Sequence, residues 1–397
     1  MKKLLHIIGI TLPALFFSCR ETYTPPQITT NVNYLVVEGL INTGTDSTIF
    51  KLSRTVRLNA KTTTQNETHA IVTVENDANA TYPLKEIKPG TYASAALGLS
   101  TTARYRLRII TNTNTHTTYL SDFVQVKNSP PIDSVGYAFA PYGLQIYAST
   151  HDATGNTRYY RWEYSETWVY TAAYDPSFIV VNNHILLRTP VQSTYTCWRN
   201  VNSSDITLAS SAKLTQDVMY QAPITLVPMV SAKLSSRYSI LVKQYALTED
   251  AFNFWQLLKK NTEQLGGIFD AQPSSITGNI HNIADYSELV LGYISAGSAQ
   301  QKRIFVDNKA LPKGWGTDSP FNICAPNPDN PYNPVTVPMS GYAAYFFGTV
   351  PGPLFLYTPI SIYQVHPGPD TLFDAVPVYC ADCRMAGGSI NKPAFWQ

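Results

Sequence analysis

Ala70-Ile71-Val72-Thr73-Val74-Glu75 alternates apolar and polar side chains, and Arg104-Tyr105-Arg106-Leu107-Arg108-Ile109 repeats the pattern thirty-odd residues on. A period of two places alternate residues on opposite faces of a strand, so each segment reads as a strand with one buried face. Working outward, residues 36–41, 48–52, 82–84, 90–92 and 123–126 are similar short segments separated by turn residues. Roughly seven strands between residues 34 and 127 predict a β-sandwich, transthyretin-like or Ig-like. Asn128-Ser129-Pro130-Pro131 punctuates the chain and sets a domain boundary. Residues 131–397 then predict a larger β-rich domain, with strands over 134–149, 159–170, 224–230, 237–245, 278–281, 289–294 and 302–306.

One principal α-helix is expected at about residues 248–265 in that second domain. Thr248 can cap it, Glu249 and Asp250 sit favourably in the first turn, and Gly266-Gly267 stop it. Ala251, Phe252, Trp255, Leu258 and Leu265 form a stripe at helical spacing. Such a stripe either packs into a core or lines a groove. From residue 312 to residue 369 the chain is dense in Pro, Gly, Asn and Tyr, which predicts ordered surface loops.

Lys2 and Lys3 precede a 14-residue apolar run over residues 4–17, too short to span a bilayer but suited to a signal peptide. The run ends at Ser18-Cys19, a small residue before cysteine, which is the arrangement of a lipobox with Phe16 where leucine is usual. Residues 1–18 therefore read as a lipoprotein signal peptide, Cys19 as the lipid anchor, and residues 19–33 as a Pro- and Thr-containing tether. Loss of Lys2 and Lys3 leaves 27 basic against 27 acidic residues. A neutral body has no field to hold nucleic acid.

Four further cysteines, Cys197, Cys324, Cys380 and Cys383, form an even set behind an export signal and read as disulfides, with three possible pairings. Cys380-Ala381-Asp382-Cys383 is also compatible with half a zinc site or a redox pair. The sequence carries no His-Glu-x-x-His, no Gly-x-Ser-x-Gly and no phosphate-binding glycine loop. No catalytic residue, cofactor or metal is expected. The abundance of aromatics, with 26 Tyr and 6 Trp, suits an interface, and Tyr332, Tyr342, Tyr345, Phe346 and Phe347 form the candidate binding surface.

The segment spacing of residues 34–127 resembles the transthyretin-like (carboxypeptidase-regulatory-like) modules common in outer-membrane proteins, and Tyr159-Tyr160-Arg161-Trp162-Glu163-Tyr164 resembles fibronectin type III strands. The ending that runs from Cys380 to Trp396, with residues 35–41, 238–255, 269–279 and 292–296, resembles a Bacteroidota outer-membrane lipoprotein family carrying a domain of unknown function. That resemblance implies genes beside TonB-dependent receptors and assigns no catalytic residue. It implies a non-enzymatic, lipid-anchored protein of the outer membrane, an accessory or cargo-binding partner of a TonB-dependent β-barrel. A glycan-binding or adhesion lipoprotein is the alternative, and a hydrolase without a local motif the second. Cys19→Ala is expected to shift the protein from the membrane to the soluble fraction and to abolish palmitate labelling, as read by fractionation and mass spectrometry.

Overall fold

The computed structural model describes residues 33–56, 65–112, 116–182, 184–263, 276–325, 332–338, 356–364 and 371–396. The first domain contains β1 (Leu35–Asn42), β2 (Thr48–Arg54), β3 (Gln65–Asn66), β4 (Ile71–Asn76), β5 (Thr81–Lys88), β6 (Thr91–Ser94), β7 (Arg104–Ile110), β8 (Thr118–Ser121) and β9 (Val124–Gln125). β5 pairs with β4 through its first half and with β6 through its second, so one strand carries the chain around the corner of the sandwich. Alternation decides the faces as expected. Val72, Val74, Tyr105, Leu107 and Ile109 are buried, and each such aliphatic side chain contributes about 1.5–3 kcal/mol. On the opposite face, Glu75 takes ion pairs from Arg106 at 2.7 Å and Arg108 at 3.4 Å.

The second domain is a sandwich of two antiparallel sheets. One contains β10 (Ile132–Ala140), β11 (Gly143–His151) and, later in the chain, β17 (Val218–Pro228), in that order. The other is built on β12 (Tyr159–Thr171), which is flanked on one side by β15 (Thr196–Asn202) and β16 (Thr207–Ser210) and on the other by β18 (Arg237–Leu247). Trp162, Tyr160, Tyr238, Ile240 and Leu144 fill the space between the sheets. Between β12 and β15 a hairpin of β13 (Phe178–Val181) and β14 (His184–Leu187) projects from the sandwich.

After β18, α1 (Glu249–Glu263) begins on Thr248, whose Oγ1 accepts the Ala251 N–H at 3.2 Å. It lies against the sheet of β12, β16 and β18, burying Ala251 and Phe254. The chain then returns to the first domain before completing the second. β19 (Ile280–Asn282) pairs with β8, β20 (Ala296–Gly297) pairs in parallel with β1, and only then does β21 (Gln300–Asp307) close the second sheet against β18. Residues 278–298, expected within the second domain, thus supply Ile280, Val290, Ile294 and Ala296 to the core of the first. The strand expected over 289–294 is instead irregular, with one bridge from Leu291 to Val36. Leu291 still exchanges backbone hydrogen bonds with Leu35 and Val37, and the pairing lapses at Gly292, which has a φ of +143° and lies so close to Val37 that a Cβ would sit 2.3 Å from its carbonyl oxygen.

This return locks the two domains together. Lys127 N–H donates to Ala296 O at 2.8 Å and Ser129 N–H to Ser298 O at 3.0 Å, while Asn128 Oδ1 accepts from Thr43 Oγ1 at 2.8 Å and from Ser298 N–H at 3.0 Å. Gly297 permits the approach, since a Cβ there would meet Lys127 O at 1.9 Å. Buried Gln244 fastens the linker to the second core. Its Oε1 accepts Trp162 Nε1–H at 3.0 Å, and its Nε2 reaches Ser129 Oγ at 3.1 Å, Pro130 O at 3.0 Å and Thr150 Oγ1 at 3.1 Å.

The C-terminal region adds a sheet ordered β22 (Val335–Pro338), β24 (Thr371–Pro377), β23 (Tyr357–Gln364), then α2 (Val378–Ala381). Val180 and Ile185 of the β13–β14 hairpin pack on its core of Val337, Tyr357, Phe373 and Ala375. Among the described residues no helix is long and apolar enough to cross a membrane. Gln244→Ala is expected to cost roughly 2–4 kcal/mol in urea unfolding, because Trp162 N–H and the linker acceptors lose their partners in a dry site.

Candidate functional site

Strand alternation places Tyr160, Trp162 and Tyr164 of β12 in the core and turns Tyr159, Arg161 and Glu163 to the opposite face. Across the ladder, Arg161 stands opposite Tyr245 and Glu163 opposite Lys243. α1 lies over one end of this face, with Phe252 5.0 Å from Tyr159 and Phe254 5.3 Å from Tyr293, ring centre to ring centre. Past the middle of the helix the two domains diverge. There β1 and β2 on one side, and β12, β18 and α1 on the other, enclose a cleft of about 900 Å³.

Arg161 organises the second domain's wall. Its guanidinium lies 4.1 Å from the ring centre of Trp255 and 4.6 Å from that of Tyr245, and it pairs with Glu163 at 2.9 Å. Its Nε is buried without a hydrogen-bond partner, and the electron-rich ring faces stand in for one. Glu163 also accepts the Tyr245 hydroxyl at 2.7 Å. Burial first, then the Glu163 charge, raises the Tyr245 phenol well above its ordinary range, so it donates and does not ionise. Facing this wall, the first domain presents Leu40 and Ile49, with Glu38 and Lys51 opposite each other on β1 and β2. Ser203 and Ser204 line the cleft beside the last turns of α1, in a loop held there by Lys259 Nζ on Ile206 O at 2.6 Å and by Ile206 N–H on Glu263 at 2.6 Å.

The helical stripe therefore divides its duties. Ala251 is buried, Phe252 packs on Tyr159, Trp255 and Leu258 line the cleft, and Leu265 lies outside the described residues; Phe254, which the stripe left out, is buried and borders the cleft. Arg161, Glu163 and Tyr245 were not singled out as site residues from sequence. Their one available signal was Tyr-x-Arg-x-Glu in alternate positions of a strand, a polar face too elaborate for plain solvent contact. The candidate surface of aromatics lies elsewhere. Tyr332 is half-buried against Tyr379 at 6.3 Å, within a cluster that covers the Cys324 region, so it packs inward instead of facing a ligand. Tyr342, Tyr345, Phe346 and Phe347 lie outside the described residues, as does Cys19.

All four remaining cysteines are fully buried and paired, Cys197 with Cys383 and Cys324 with Cys380, at Cα separations of 5.7 and 5.8 Å. The two cysteines of Cys380-Ala381-Asp382-Cys383 thus go to different partners, a geometry unlike a redox pair, and staple α2 and the turn after it to β15 and to residues 322–324. Trp396 is buried with its ring centre 5.6 Å from that of Phe305, and the Arg303 guanidinium lies 3.5 Å from the ring centre of Phe395, so this aromatic pair holds residues 395–396 against β21. Among the described residues no group of three or more His, Cys, Asp or Glu is placed to hold a metal ion.

Taken together, the architecture is that of a mainly β, two-sandwich protein with a cleft between its domains. Residues 20–303 match the family model of the domain of unknown function DUF4249, and the chain belongs to that family. Among curated proteins there is no match. Among solved structures, a segment of two fibronectin type-III domains from chicken tenascin is 11% identical, covering 55% of this chain and 92% of that one, with a TM-score of 0.16. A DUF3823 family protein from Bacteroides ovatus is 12% identical, covering 54% and 91%, with a TM-score of 0.15. Overlaps this small leave the fold to be read from the strand order itself.

Alkaline titration should report the buried phenols. Burial, then Glu288, pushes Tyr119 up to about 12 from an ordinary 10.0. Between those values the unfolded chain has lost this proton and the folded chain keeps it, so stability is complete below pH about 10 and falls as pH rises toward 12. Tyrosinate absorbance at 295 nm is expected to lag behind that of the unfolded chain across this window, and Tyr119→Phe to lessen the loss of stability.

Proposed function

We propose that this chain is a non-enzymatic cell-envelope lipoprotein, held at the outer membrane by acylated Cys19, that serves a TonB-dependent β-barrel transporter as an accessory or cargo-binding partner. The ligand site in this reading is the cleft between the domains, and not the C-terminal aromatic loops. The observation that carries it is the cleft itself: about 900 Å³ of concave, aromatic-walled space, within the range of small-molecule sites. Its walls belong to two domains joined without a flexible hinge, so the site is preformed and binding loses little conformational entropy. Two buried disulfides suit an oxidising compartment. The lipobox at Ser18-Cys19 supplies the anchor, and the resemblance to receptor-associated lipoproteins supplies the transporter. Glu163 is already held by both Arg161 and Tyr245, which suits recognition better than proton transfer.

The full-length chain carrying a C-terminal tag, purified in mild detergent from its own host, is expected to bring down a large β-barrel protein in near-stoichiometric amount. Recovery of the chain alone from cells that express the neighbouring transporter would defeat the reading.

A further inference from the structure

We propose that the interdomain cleft takes an uncharged amphiphile, a molecule with an apolar body and a polar but non-ionic head. This deepens the reading of the cleft as the ligand site and rests on it.

Charge is the first argument. Lys51, Arg161 and Lys243 line the cleft, and so do Glu38, Glu163 and Asp205. The opposed charges are matched in register, Glu38 with Lys51 across β1 and β2, and Glu163 with Lys243 across β12 and β18. Arg161 and Glu163 are bonded directly, and Glu163 spends its other oxygen on Tyr245. An ionic head at Arg161 or Glu163 would displace a partner from that pair, and beside Lys51, Lys243, Glu38 or Asp205 it would lose its water among charges of both signs, and both are unfavourable. Neither sign is favoured over the other. A non-ionic head meets no such conflict.

The second argument is the lining between those pairs. Ile49 is 45% exposed although it is a large aliphatic side chain, and it faces the cleft with Leu40, opposite Trp255 and Leu258. These surfaces would be relieved of water by an alkyl or ring system. Along the last turns of α1 the lining changes to Asn261 and Thr262, with Ser203 and Ser204 beside them. Ser203 Oγ accepts the Tyr164 N–H and keeps its O–H to donate, and Thr262 Oγ1 donates to Leu258 O and keeps its lone pairs to accept, so a sugar, alcohol or amide head can be met there without any net charge. The clamp of Lys259 and Glu263 on Ile206 holds that polar wall in position.

The test uses the purified mature chain and Nile red, an uncharged dye whose emission rises and shifts to the blue in an apolar site. Octyl glucoside below its micellar concentration is expected to displace the dye. Octanoate and octyltrimethylammonium, with chains of equal length, should need at least about tenfold higher concentrations, a preference of about 1.4 kcal/mol. Dye affinity should change by less than about twofold from low to high salt. Trp255→Ala should weaken dye binding at least about tenfold; because Trp255 also packs on Arg161 and Phe254, Ile49→Asp, at an exposed position of β2 in the other domain, is the second variant, and it should do the same in a chain that keeps its circular dichroism. If either charged octyl compound displaces the dye as well as octyl glucoside does, the class of ligand assigned here is wrong and the cleft remains a site. If dye does not bind, or binds folded Ile49→Asp unchanged, the cleft is not the ligand site, and this inference falls with that part of the functional reading while the transporter partnership is still judged by co-purification.

Discussion

The angle between the two sandwiches is held by main-chain hydrogen bonds that residues 296–298 exchange with residues 127–129, backed by Gln244 beneath them. The cleft exists only at that angle. Its two walls come from strands far apart in sequence, β1 and β2 against β12 and β18, and they would not face each other across a free linker. Each bond contributes only about 0.5–1.5 kcal/mol net, but several share one geometry, so the junction behaves as a piece of core and not as a hinge. Gly297 is the steric condition for it, because the backbones meet closer than any side chain allows.

Periodicity exposed the strands because burial on one face leaves a local trace. β4 and β7 read correctly from six residues each, and α1 from its cap and first-turn acids. The cysteines announced disulfides by number and compartment, whereas their pairing depends on where β15 and α2 meet in space. The return of residues 278–298 to the first domain left no such trace. Residues 278–281 read as a strand, but β19 and β20, three and two residues long, carry nothing that names β8 and β1 as their partners. Leu289, Val290 and Leu291 look like a strand in composition, but the positive φ of Gly292 takes the chain out of the ladder.

The site was legible only in fragments. Trp255 and Leu258 stood on the expected helical stripe, and the difference between core and groove was set by how far the first domain stands off the helix. Arg161 and Glu163 sat two apart in a strand already read as such, yet nothing local says that Tyr245 and Trp255 approach the same guanidinium. Aromatic density pointed instead to four rings outside the described residues and to Tyr332. Its ring belongs to the inward cluster around Tyr379, one of several places where tyrosine serves as a large core residue with its hydroxyl bonded.

The stitch from β19 and β20 into the first sandwich also sets an order of assembly. A nascent chain that has emerged only as far as residue 127 lacks Ile280, Val290 and Ile294 and leaves β1 and β8 with open edges. The amino-terminal sandwich therefore cannot be completed until residue 297 has been made, and its early strands spend that interval vulnerable to mispairing. A protein built this way cannot be cut at the linker into two autonomous halves.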